Sequence, residues 1–489
     1  MIKALLFFLL GSACSWLVEL PYGGWLIIPG LGILIHLIFL NKHHFKYGWI
    51  FGLGYFCNAL WWIFISLHDV GGMVAPLAVF AVFALSAYLA IFPALALKLS
   101  SYITHPLWRV LSIASLWTIC EWLRGQLFTG FPWAGIAETQ VDGPLYAWAP
   151  IAGGLACTWA VLAIASFISQ SKKSISTKLI VVVSFISFSQ VLGFIPFTQA
   201  IGEPIEVTLI QGNFPQTLKF DPQNTQNQIN FYKKTIEEQK SGLIVAPETA
   251  VPIPHELLPD SFFTDLHNKN PQKNILLGVV GKSSSGQYSN SALGLQTNKD
   301  NYKYDKSHLV PFGEFVPWGF QWFVDAVQTP LGNFHRGPKN QAPFVIEHGK
   351  ESINAGVMIC YEDVFGDEIA ARQRDASVKH HLWINLTNLA WFGDSQASEQ
   401  QLRLAQLRSM ETGIPTLRAT NTGVTAIVNH RGQVVAQLPE FQQSILKNHV
   451  QPYSGITPFV TWGNIPILLL SIGILVLGWQ QTKKWSKSS

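Results

Sequence analysis

The stretch Asn354-Ala-Gly-Val-Met-Ile-Cys360-Tyr-Glu-Asp-Val364 predicts a buried strand, residues 353–359, that ends directly at a cysteine. A polar run that is compatible with a helix follows at 363–374. Helix N–H dipoles near a strand-to-helix turn can favour the thiolate, which is the reactive form of cysteine. An unperturbed thiol, with a pKa of about 8.5, is mostly protonated at neutral pH. As a nucleophile, Cys360 would therefore need activating groups from elsewhere in the chain.

The composition indicates a membrane protein. Of the 489 residues, 49% are hydrophobic and 13% are charged, whereas a soluble globular protein has about 25% charged residues. The formal net charge is only +4, and no block of Lys and Arg occurs. Both observations argue against a nucleic-acid partner, because such a partner selects for strongly basic patches.

Cys360 stands apart from the other four cysteines because it lies in a hydrophilic part of the chain. The others lie in apolar segments: Cys14, Cys57, Cys120 and Cys157. A disulfide framework would need cysteine partners near Cys360, and the sequence has none there. His380-His381 has no CxxC beside it, so the spacing of a zinc site is absent too. We expect neither a metal nor an organic cofactor.

Apolar runs of roughly 20 residues, about long enough to cross a bilayer, dominate residues 1–200. We predict seven spans there and an eighth near the C-terminus: 2–20, 24–40, 47–67, 73–98, 107–127, 150–169, 178–198 and 463–480. The start of 2–20 fits a signal peptide, but six further spans follow and no cleavage site is convincing. The sequence therefore predicts a membrane α-helical bundle in 1–200 and a last helix with its tail in 461–489.

The basic residues fall in alternate loops of this bundle. They lie before span one, between spans two and three, four and five, six and seven, and after span eight: Lys3, Lys42, Lys46, Lys98, Arg109, Lys172, Lys173, Lys178, Lys483, Lys484 and Lys487. The other loops, around 21–22, 68–69 and 131–150, contain no Lys or Arg. The positive-inside rule then predicts that both termini are cytoplasmic and that residues 200–462 lie on the opposite side of the membrane.

Residues 201–460 alternate β-rich runs with polar, helix-like segments. We predict strands at 205–211, 242–247, 274–281, 288–295, 353–359, 381–386, 416–421 and 423–429. We predict helices at 223–240, 362–374 and 396–412, the last of them amphipathic. Strands with helices between them predict an α/β sandwich that is built on mixed sheets.

Three stretches of this domain can carry chemistry: Val245-Ala-Pro-Glu248-Thr-Ala-Val-Pro252, Tyr304-Asp-Lys306-Ser-His-Leu-Val-Pro-Phe-Gly-Glu314-Phe-Val-Pro317 and Ile359-Cys360-Tyr361-Glu362-Asp363. A nucleophilic thiol needs a base to take its proton. It also needs a cation or N–H donors where negative charge develops on the attacked carbonyl. Glu248 can be the base, Lys306 can hold the oxyanion, and the backbone N–H after Cys360 can assist.

Taken singly, each residue has an ordinary structural interpretation. An acid at a strand end is usually solvated, a lone lysine usually lies at the surface, and a lone cysteine is commonly a small buried hydrophobe. His308 fits a structural hydrogen-bonding role better than that of a base. Three polar residues at strand ends in one α/β domain favour the catalytic interpretation.

The Glu248, Lys306 and Cys360 order, with these flanks, resembles the nitrilase or carbon–nitrogen hydrolase superfamily, whose fold is an αββα sandwich. Longer motifs resemble the apolipoprotein N-acyltransferase family, and this resemblance covers nearly the whole chain. The motifs are Gln211-Gly-Asn-Phe-Pro-Gln-Thr-Leu-Lys-Phe220, Lys306-Ser-His-Leu-Val-Pro-Phe-Gly-Glu314, Cys360-Tyr-Glu362, Arg418-Ala-Thr-Asn-Thr-Gly-Val-Thr425, Glu121-Trp-Leu-Arg-Gly125, Gly130-Phe-Pro-Trp133 and Asp142-Gly-Pro144.

The resemblance implies a bacterial inner-membrane enzyme with its catalytic domain, 201–460, on the periplasmic side. Its cysteine takes an acyl chain from phosphatidylethanolamine as a thioester and passes it to the α-amine of a diacylglyceryl-cysteine apolipoprotein. The resemblance assigns the base to Glu248, the oxyanion contact to Lys306 and the nucleophile to Cys360. Supporting positions are Glu314, Tyr361 and Glu362. The expected partners are thus a phospholipid donor, the apolipoprotein and the bilayer, and we expect a monomer.

Three positions depart from the family pattern. Phe220 stands where tryptophan is frequent, Leu389 replaces an acid, and Gln401 stands where a histidine is common. An aromatic at 220 is compatible with a lid or packing role. Neither Leu389 nor Gln401 is expected to contact the three catalytic candidates.

Two further features admit two interpretations each. The aromatic-rich loop 316–323 can enter the membrane interface, as aromatic residues tend to, or pack on the core of its own domain. Glu121 and Arg124, near the outer end of the fifth span, can form a structural pair or contact a lipid headgroup. The spacing of the pair favours the structural interpretation.

Two other functions remain open. A membrane-tethered amidase of the same fold would let water resolve the thioester, but one anchoring helix would serve it and eight spans argue against it. A transporter with an extracytoplasmic binding domain would be expected to carry repeats or charges at mid-membrane depth. The predicted spans contain few ionisable groups, which places the transporter last.

Overall fold

The computed structural model describes residues 1–216, 222–259, 261–269, 273–283, 286–296, 301–321, 333–349 and 351–488. The chain forms two compact units. The first comprises Met1–Phe64, Val74–Phe197 and Thr457–Ser489, and the second comprises Ile65–Met73 and Thr198–Ile456. Phe220, and Trp322 and Phe323 of the aromatic loop, lie outside the described residues.

Helices make up most of the first unit. They are Ile2–Trp16, Gly23–Phe39, His44–Ala59, Trp62–Ile65, Ala75–Leu89, Ile91–Ser100, Pro106–Arg124, Ala149–Gln170, Ile175–Leu192, Pro458–Trp462 and Ile465–Ser488, with Trp62–Ile65 ending in the second unit. Apolar side chains on the membrane-facing helices are widely exposed, as expected where lipid replaces water.

Four helical segments among the described residues are long and apolar enough to cross a membrane. They are Ala75–Ser100, Tyr146–Gln170, Ile175–Leu192 and Ile465–Ser486, and the bent pair His44–Ala59 and Trp62–Val70 makes a fifth if it is one span. Ile2–Trp16 and Gly23–Phe39 are shorter apolar helices. Pro106–Arg124 contains the charged residues Arg109, Glu121 and Arg124 and is not among the candidate membrane spans. A helical membrane region is thus confirmed, but the count of eight spans is not.

Arg124 supports a stretch of irregular backbone that follows its helix. The guanidinium, 3% exposed, donates hydrogen bonds to the carbonyls of Phe131 at 2.8 Å and Trp133 at 2.6 Å. Irregular backbone at membrane depth must be satisfied by protein groups, and these bonds do so. Glu121 and Arg124 line a cavity of about 30 Å³, which holds about one water. Arg124 thus has a structural role, but Glu121 accepts from the Thr158 hydroxyl at 3.1 Å, so a direct pairing of Glu121 with Arg124 is not confirmed.

Two sheets organise the second unit. The strands are β1 Thr198–Ala200, β2 Ile205–Gln211, β3 Leu243–Val245, β4 Val251–Pro254, β5 Asn274–Lys282, β6 Tyr288–Leu295, β7 Tyr302–Asp305, β8 Phe344–His348, β9 Glu351–Ile359, β10 Leu382–Thr387, β11 Thr416–Thr420, β12 Ala426–Val428, β13 Val434–Gln437, β14 Ser444–Val450 and β15 Tyr453–Gly455. One sheet has the order β14-β2-β3-β5-β6-β7, with β4 beside β5, and the other has the order β13-β12-β11-β10-β9-β8. Both are mixed, because β9, β10 and β11 run parallel while β8 and β12 run antiparallel to their neighbours. A short antiparallel pair, β1 with β15, joins the two ends of the unit.

The main core lies between the two sheets. Alternate residues of β2 (Ile205, Val207, Leu209) and of β9 (Ala355, Val357, Ile359) enter one buried cluster. This alternation follows from the two-residue period of a strand.

Helices cover the outer face of each sheet. Pro222–Glu238 and Ser261–Lys269 pack on the seven-stranded sheet through a cluster that includes Ile229, Phe262 and Ile244. On the other sheet, Gly366–Asp375 packs through Ile369, and Ala397–Thr412 packs through Leu402. Each sheet thus has helices packed against one of its faces.

The structure confirms β2 and β6 with the predicted bounds and corrects two helices. The predicted helix 362–374 begins only at Gly366, because Cys360–Val364 forms a 3-10 turn and Phe365 is not helical. The helix at Ala397–Thr412 is present but is buried on every side, rather than amphipathic with a solvated face. Its charged residues are paired inside the protein, as in the contact between Arg408 Nε and Glu411 Oε2 at 2.9 Å.

Candidate active site

Cys360 follows β9 directly and has a left-handed backbone, with φ of 51°. This conformation costs a residue with a Cβ about 1–2 kcal/mol, so the surrounding structure must enforce it. The Cys360 N–H donates to Asn385 Oδ1 at 3.1 Å. The strand end, the tight turn and this hydrogen bond together place the side chain at the edge of the core, where it is partly exposed.

Lys306 lies between two carboxylates in the interior. Its side chain is 1% exposed, and Nζ lies 2.9 Å and 3.0 Å from the two oxygens of Glu314 and 3.9 Å from Glu248 Oε1. Burial alone lowers the pKa of Lys306, but Glu314 and Glu248 outweigh that effect and raise it above its ordinary value. Lys306 is therefore a permanent positive charge, which rules out the surface-lysine interpretation.

Asn290, on β6, joins the two carboxylates. Its Nδ2 donates to Glu248 Oε1 at 2.6 Å and to Glu314 Oε1 at 2.8 Å. One amide thus holds both acids around Lys306 and separates their negative charges. The sequence interpretation missed Asn290. The sequence feature that could have identified Asn290 is a polar residue inside a strand whose second half is apolar.

The second oxygen of Glu248 is held from the other sheet, because the Asn388 N–H donates to Oε2 at 2.8 Å. Thr249, the next residue along the chain, has a φ of 51°. The turn packs so closely on β5 that a Cβ on Gly278 would lie 2.5 Å from the Pro247 carbonyl and the Thr249 N–H. Glu248 is therefore fixed by both its chain neighbours and its hydrogen bonds.

Glu362 ties the segment around Lys306 to the turn at Cys360. Its buried carboxylate accepts from five donors: the Tyr304 hydroxyl, the Ser307 N–H and hydroxyl, the His308 N–H and the Ile359 N–H. Such bonds to an ionised acceptor are about twice as strong as neutral ones. Glu362 is thus a structural clamp of the site.

Tyr361 and His308 form an aromatic cluster beside this clamp. Tyr361 is 6% exposed, with its ring centroid 5.1 Å from Phe365 and 5.8 Å from His308. His308 stacks on Phe365 at 3.7 Å, and its Nδ1 lies 3.0 Å from Glu368 Oε2. These contacts support the structural role that was expected of His308.

The expectation that helix dipoles favour the Cys360 thiolate is wrong. The following helix begins at Gly366, so no α-helix N-terminus lies at Cys360. Burial and then the charge of Glu248 raise the pKa of the Cys360 thiol well above its ordinary value, and Lys306 opposes them only in part. The resting residue is therefore a neutral thiol, and a base must take its proton during attack.

The departures from the family pattern have different surroundings. Leu389 is 2% exposed, and its side chain approaches the Cβ position of Gly423 at 2.9 Å, so it is a packing residue. Gln401 Nε2 donates to the Cys360 carbonyl at 3.0 Å. The expectation that Gln401 has no contact with the catalytic candidates is therefore wrong.

The described part of the aromatic loop projects from the domain. Trp318 is 98% exposed and Phe320 is 41% exposed. Packing on the core of its own domain is therefore excluded for Trp318. Among the described residues, no three His, Cys, Asp or Glu side chains are grouped as a metal site requires.

Two family models match the chain. The model described as apolipoprotein N-acyltransferase N-terminal domain matches residues 6–167, and the carbon-nitrogen hydrolase model matches residues 206–455. The second match accounts for the nitrilase-like fold of the second unit.

Relatives named apolipoprotein N-acyltransferase match over most of their length. The protein from Ralstonia nicotianae is 41% identical over 442 residues, which cover 88% of this chain and 83% of the relative. The protein from Nitrosomonas europaea is 38% identical over 443 residues, with coverage of 88% and 86%. The protein from Methylococcus capsulatus is 34% identical over 493 residues, with coverage of 97% and 95%.

Glu362→Gln is expected to destabilise the second unit. A glutamine at this position directs an NH₂ group towards N–H donors and loses the charge-assisted bonds. The free energy of unfolding should therefore fall by about 3 kcal/mol. For a unit of this size, that corresponds to about 6–12 °C in the thermal unfolding midpoint. The measurement is a melting curve of the purified protein beside Glu351→Gln, an exposed carboxylate at the start of β9 that should change little. Equal midpoints for the two variants would contradict the clamp role.

Glu248→Gln is expected to slow alkylation of Cys360 by iodoacetamide at pH 7 about a hundredfold, the scale of a lost general base. The same change removes the negative charge that raises the thiol pKa. The remaining alkylation should therefore titrate at a lower pH than in the wild type. Rates measured from pH 6 to 10, with Glu351→Gln as the control, test both effects. Wild-type rates in Glu248→Gln at every pH of this range would exclude Glu248 as the base.

Proposed function

The chain belongs to the apolipoprotein N-acyltransferase family, and we propose that it moves a fatty acyl chain from a phospholipid, through a Cys360 thioester, to the N-terminal amine of a diacylated apolipoprotein. One observation carries the proposal. A partly exposed cysteine interacts electrostatically with an acid and a buried lysine that lie 3.9 Å apart, in a nitrilase-like unit of a chain with apolar helices long enough to span a membrane. The proposed catalytic residues are Cys360, Glu248 and Lys306, supported by Glu314, Tyr361 and Glu362.

In the proposed first step, the Cys360 sulfur attacks the sn-1 ester carbonyl of a phosphatidylethanolamine-like lipid. The thiol proton passes to Glu248 as the C–S bond forms. When the C–O bond breaks, the lysophospholipid oxygen takes that proton back from Glu248. The products are a thioester on Cys360 and a lysophospholipid, and Glu248 is again ionised.

In the proposed second step, the α-amine of the S-diacylglyceryl-cysteine attacks the thioester carbonyl. Glu248 accepts a proton from the amine as the C–N bond forms. The C–S bond then breaks, and the departing sulfur takes the proton from Glu248. The product is an N-acylated lipoprotein and a free Cys360 thiol, ready for another lipid.

Lys306 supplies the fixed charge for both tetrahedral intermediates. An ammonium has three N–H donors. The two carboxylate oxygens of Glu314, 2.9 Å and 3.0 Å from Lys306 Nζ, accept two of them, so one donor remains for the substrate oxygen. The raised pKa of Lys306 keeps it charged throughout the cycle. A preorganised donor of this kind typically contributes about 3–4 kcal/mol to the transition state. The backbone N–H after Cys360 is proposed as the second donor.

We further propose that residues 1–200 and 461–489 lie in the bacterial inner membrane and that 201–460 forms a periplasmic αββα catalytic domain. The alternation of basic loops supports cytoplasmic termini. The exposed Trp318 and Phe320 fit a loop that enters the outer leaflet, so that acyl chains stay in lipid while the ester reaches Cys360.

The proposed reaction is tested by the mass of the Cys360 peptide after incubation of the purified protein with phosphatidylethanolamine. We expect a fatty-acyl increment on Cys360 that disappears when a diacylated lipopeptide is added. Cys360→Ala should carry no increment and form no product.

Each possible result of this mass measurement supports or contradicts a stated part of the proposal. An increment that persists with the lipopeptide would contradict the second step. An unmodified Cys360 in both samples would contradict the acyltransferase and favour the amidase, for which small amides are the next substrates. Full activity in Cys360→Ala would exclude both.

The proposed topology is tested with reporter fusions that are active only in the periplasm. A reporter after Gln199 should be active, and reporters after Lys173 and after Lys484 should be silent. The fusion after Lys173 is the matched control, because one predicted span separates it from Gln199. Activity of the Lys484 fusion would overturn the cytoplasmic assignment of the C-terminus.

A further inference from the structure

Two side-chain amides hold the main chain of Cys360 at both of its polar groups. Asn385, on β10, accepts from the Cys360 N–H at 3.1 Å, and its Nδ2 lies 3.3 Å from the Cys360 carbonyl. Gln401, on the helix Ala397–Thr412, donates from Nε2 to the same carbonyl at 3.0 Å. The peptide groups of the nucleophile are thus bonded to residues 25 and 41 positions away in the chain.

A buried ion pair fixes the orientation of both amides. Arg418 Nη1 and Asp363 Oδ2 lie 3.1 Å apart, and both side chains are fully buried. Asn385 donates to Asp363 Oδ2 at 2.6 Å, and Gln401 donates to Asp363 Oδ1 at 3.0 Å. Arg418 in turn donates to Gln401 Oε1 at 2.8 Å. Flipping the Gln401 amide would set its NH₂ against the Arg418 guanidinium and its oxygen against the Asp363 carboxylate.

We propose that Gln401, Asn385, Asp363 and Arg418 form a positioning network that holds Cys360 in its left-handed conformation and so aims the sulfur for attack. Without these bonds, the residue would gain by relaxing to negative φ, because left-handed backbone is unfavourable for a side chain with a Cβ. Relaxation would swing the sulfur away from Glu248 and Lys306. The left-handed backbone of Cys360 thus serves to place the sulfur, and tertiary contacts rather than the local sequence maintain it.

Gln401 is the informative member of the positioning network. It bonds the nucleophile and both partners of the ion pair, but it carries no charge itself. Removing it leaves the contact between Asp363 and Arg418 in place. A purely structural role would lower stability and leave the kinetic constants of the folded protein alone. A positioning role lowers the rate of attack and leaves lipid binding unchanged.

The first test compares Gln401→Met with Gln406→Met on the same helix. Gln406 also donates to a backbone carbonyl, that of Gly432 at 2.7 Å, but it has no bond to the positioning network. Single-turnover acylation of Cys360 is measured across phospholipid concentrations, well below both unfolding midpoints. We expect the maximal rate of Gln401→Met to fall about tenfold or more, since misplacement by ~1 Å can cost ~100-fold. The half-saturating lipid concentration should stay within about twofold, and Gln406→Met should match the wild type.

The second test uses Gln401→Glu, which is nearly the same shape. The new carboxylate faces Asp363 and the Cys360 carbonyl, with Arg418 in contact and Arg408 at longer range. At pH 8 it lacks the donor that held the carbonyl. At lower pH, two facing carboxylates share a proton, and a donor returns. We expect the acylation rate of Gln401→Glu, divided by the wild-type rate, to rise severalfold from pH 8 to pH 6.

These outcomes separate the positioning network from the proposed function on which the acylation assay rests. A wild-type maximal rate in Gln401→Met, an equal loss in Gln406→Met, or a pH-independent ratio for Gln401→Glu would overturn the positioning network. If the wild type itself is not acylated, the proposed function fails, and alkylation of Cys360 by iodoacetamide replaces acylation in both comparisons with the same expected order.

Discussion

A buried lysine ammonium between two carboxylates is the interaction on which the site depends. An isolated buried charge is very costly, and it is tolerated only when paired and hydrogen-bonded. Lys306 meets that condition through Glu314 at 2.9 Å and Glu248 at 3.9 Å, with Asn290 bonded to both acids. Removing any one of these groups leaves the others uncompensated. The site is therefore built as a unit, and the charge proposed to stabilise an oxyanion is also part of the structural core.

The two sheets come together at this unit. Glu248 and Lys306 follow β3 and β7 of one sheet, whereas Cys360 follows β9 of the other. Glu362 bridges them, since its carboxylate accepts bonds from the segment at 304–308 and from the end of β9. Packing of the inter-sheet core alone would allow small shifts between the layers, and a clamp of charge-assisted bonds removes that freedom. The relative position of the proposed base and the proposed nucleophile is thus set by Glu362, which need not contact the substrate.

The high pKa of the Cys360 thiol fits a site that must handle two bulky acyl substrates in turn. A permanent thiolate would be open to alkylation and oxidation in the resting protein. In the proposed mechanism, a neutral thiol that ionises only when Glu248 accepts its proton couples nucleophile formation to the presence of an electrophile. The positioning network serves the same end by keeping the sulfur in place, so that proton transfer rather than reorientation limits the attack. Membrane helices and an exposed aromatic loop in the same chain suit substrates whose chains stay in lipid.

The sequence by itself determined the local properties of this protein. Apolar runs identified a helical membrane region, β-rich runs located β2 and β6 with their observed bounds, and polar residues at strand ends singled out Glu248, Lys306 and Cys360. Only the tertiary structure decided the start of the helix at Gly366, the burial of the helix at Ala397–Thr412 on all sides, and the roles of Asn290 and Gln401. The physical reason is the separation along the chain over which each effect acts. Periodicity and residue type act within a few residues, whereas a hydrogen bond between Asn290 and Glu248 spans 42 positions and exists only after β3, β5 and β6 have assembled into one sheet. The thiol pKa likewise depends on burial and on charges brought in by folding, which no short stretch of sequence contains.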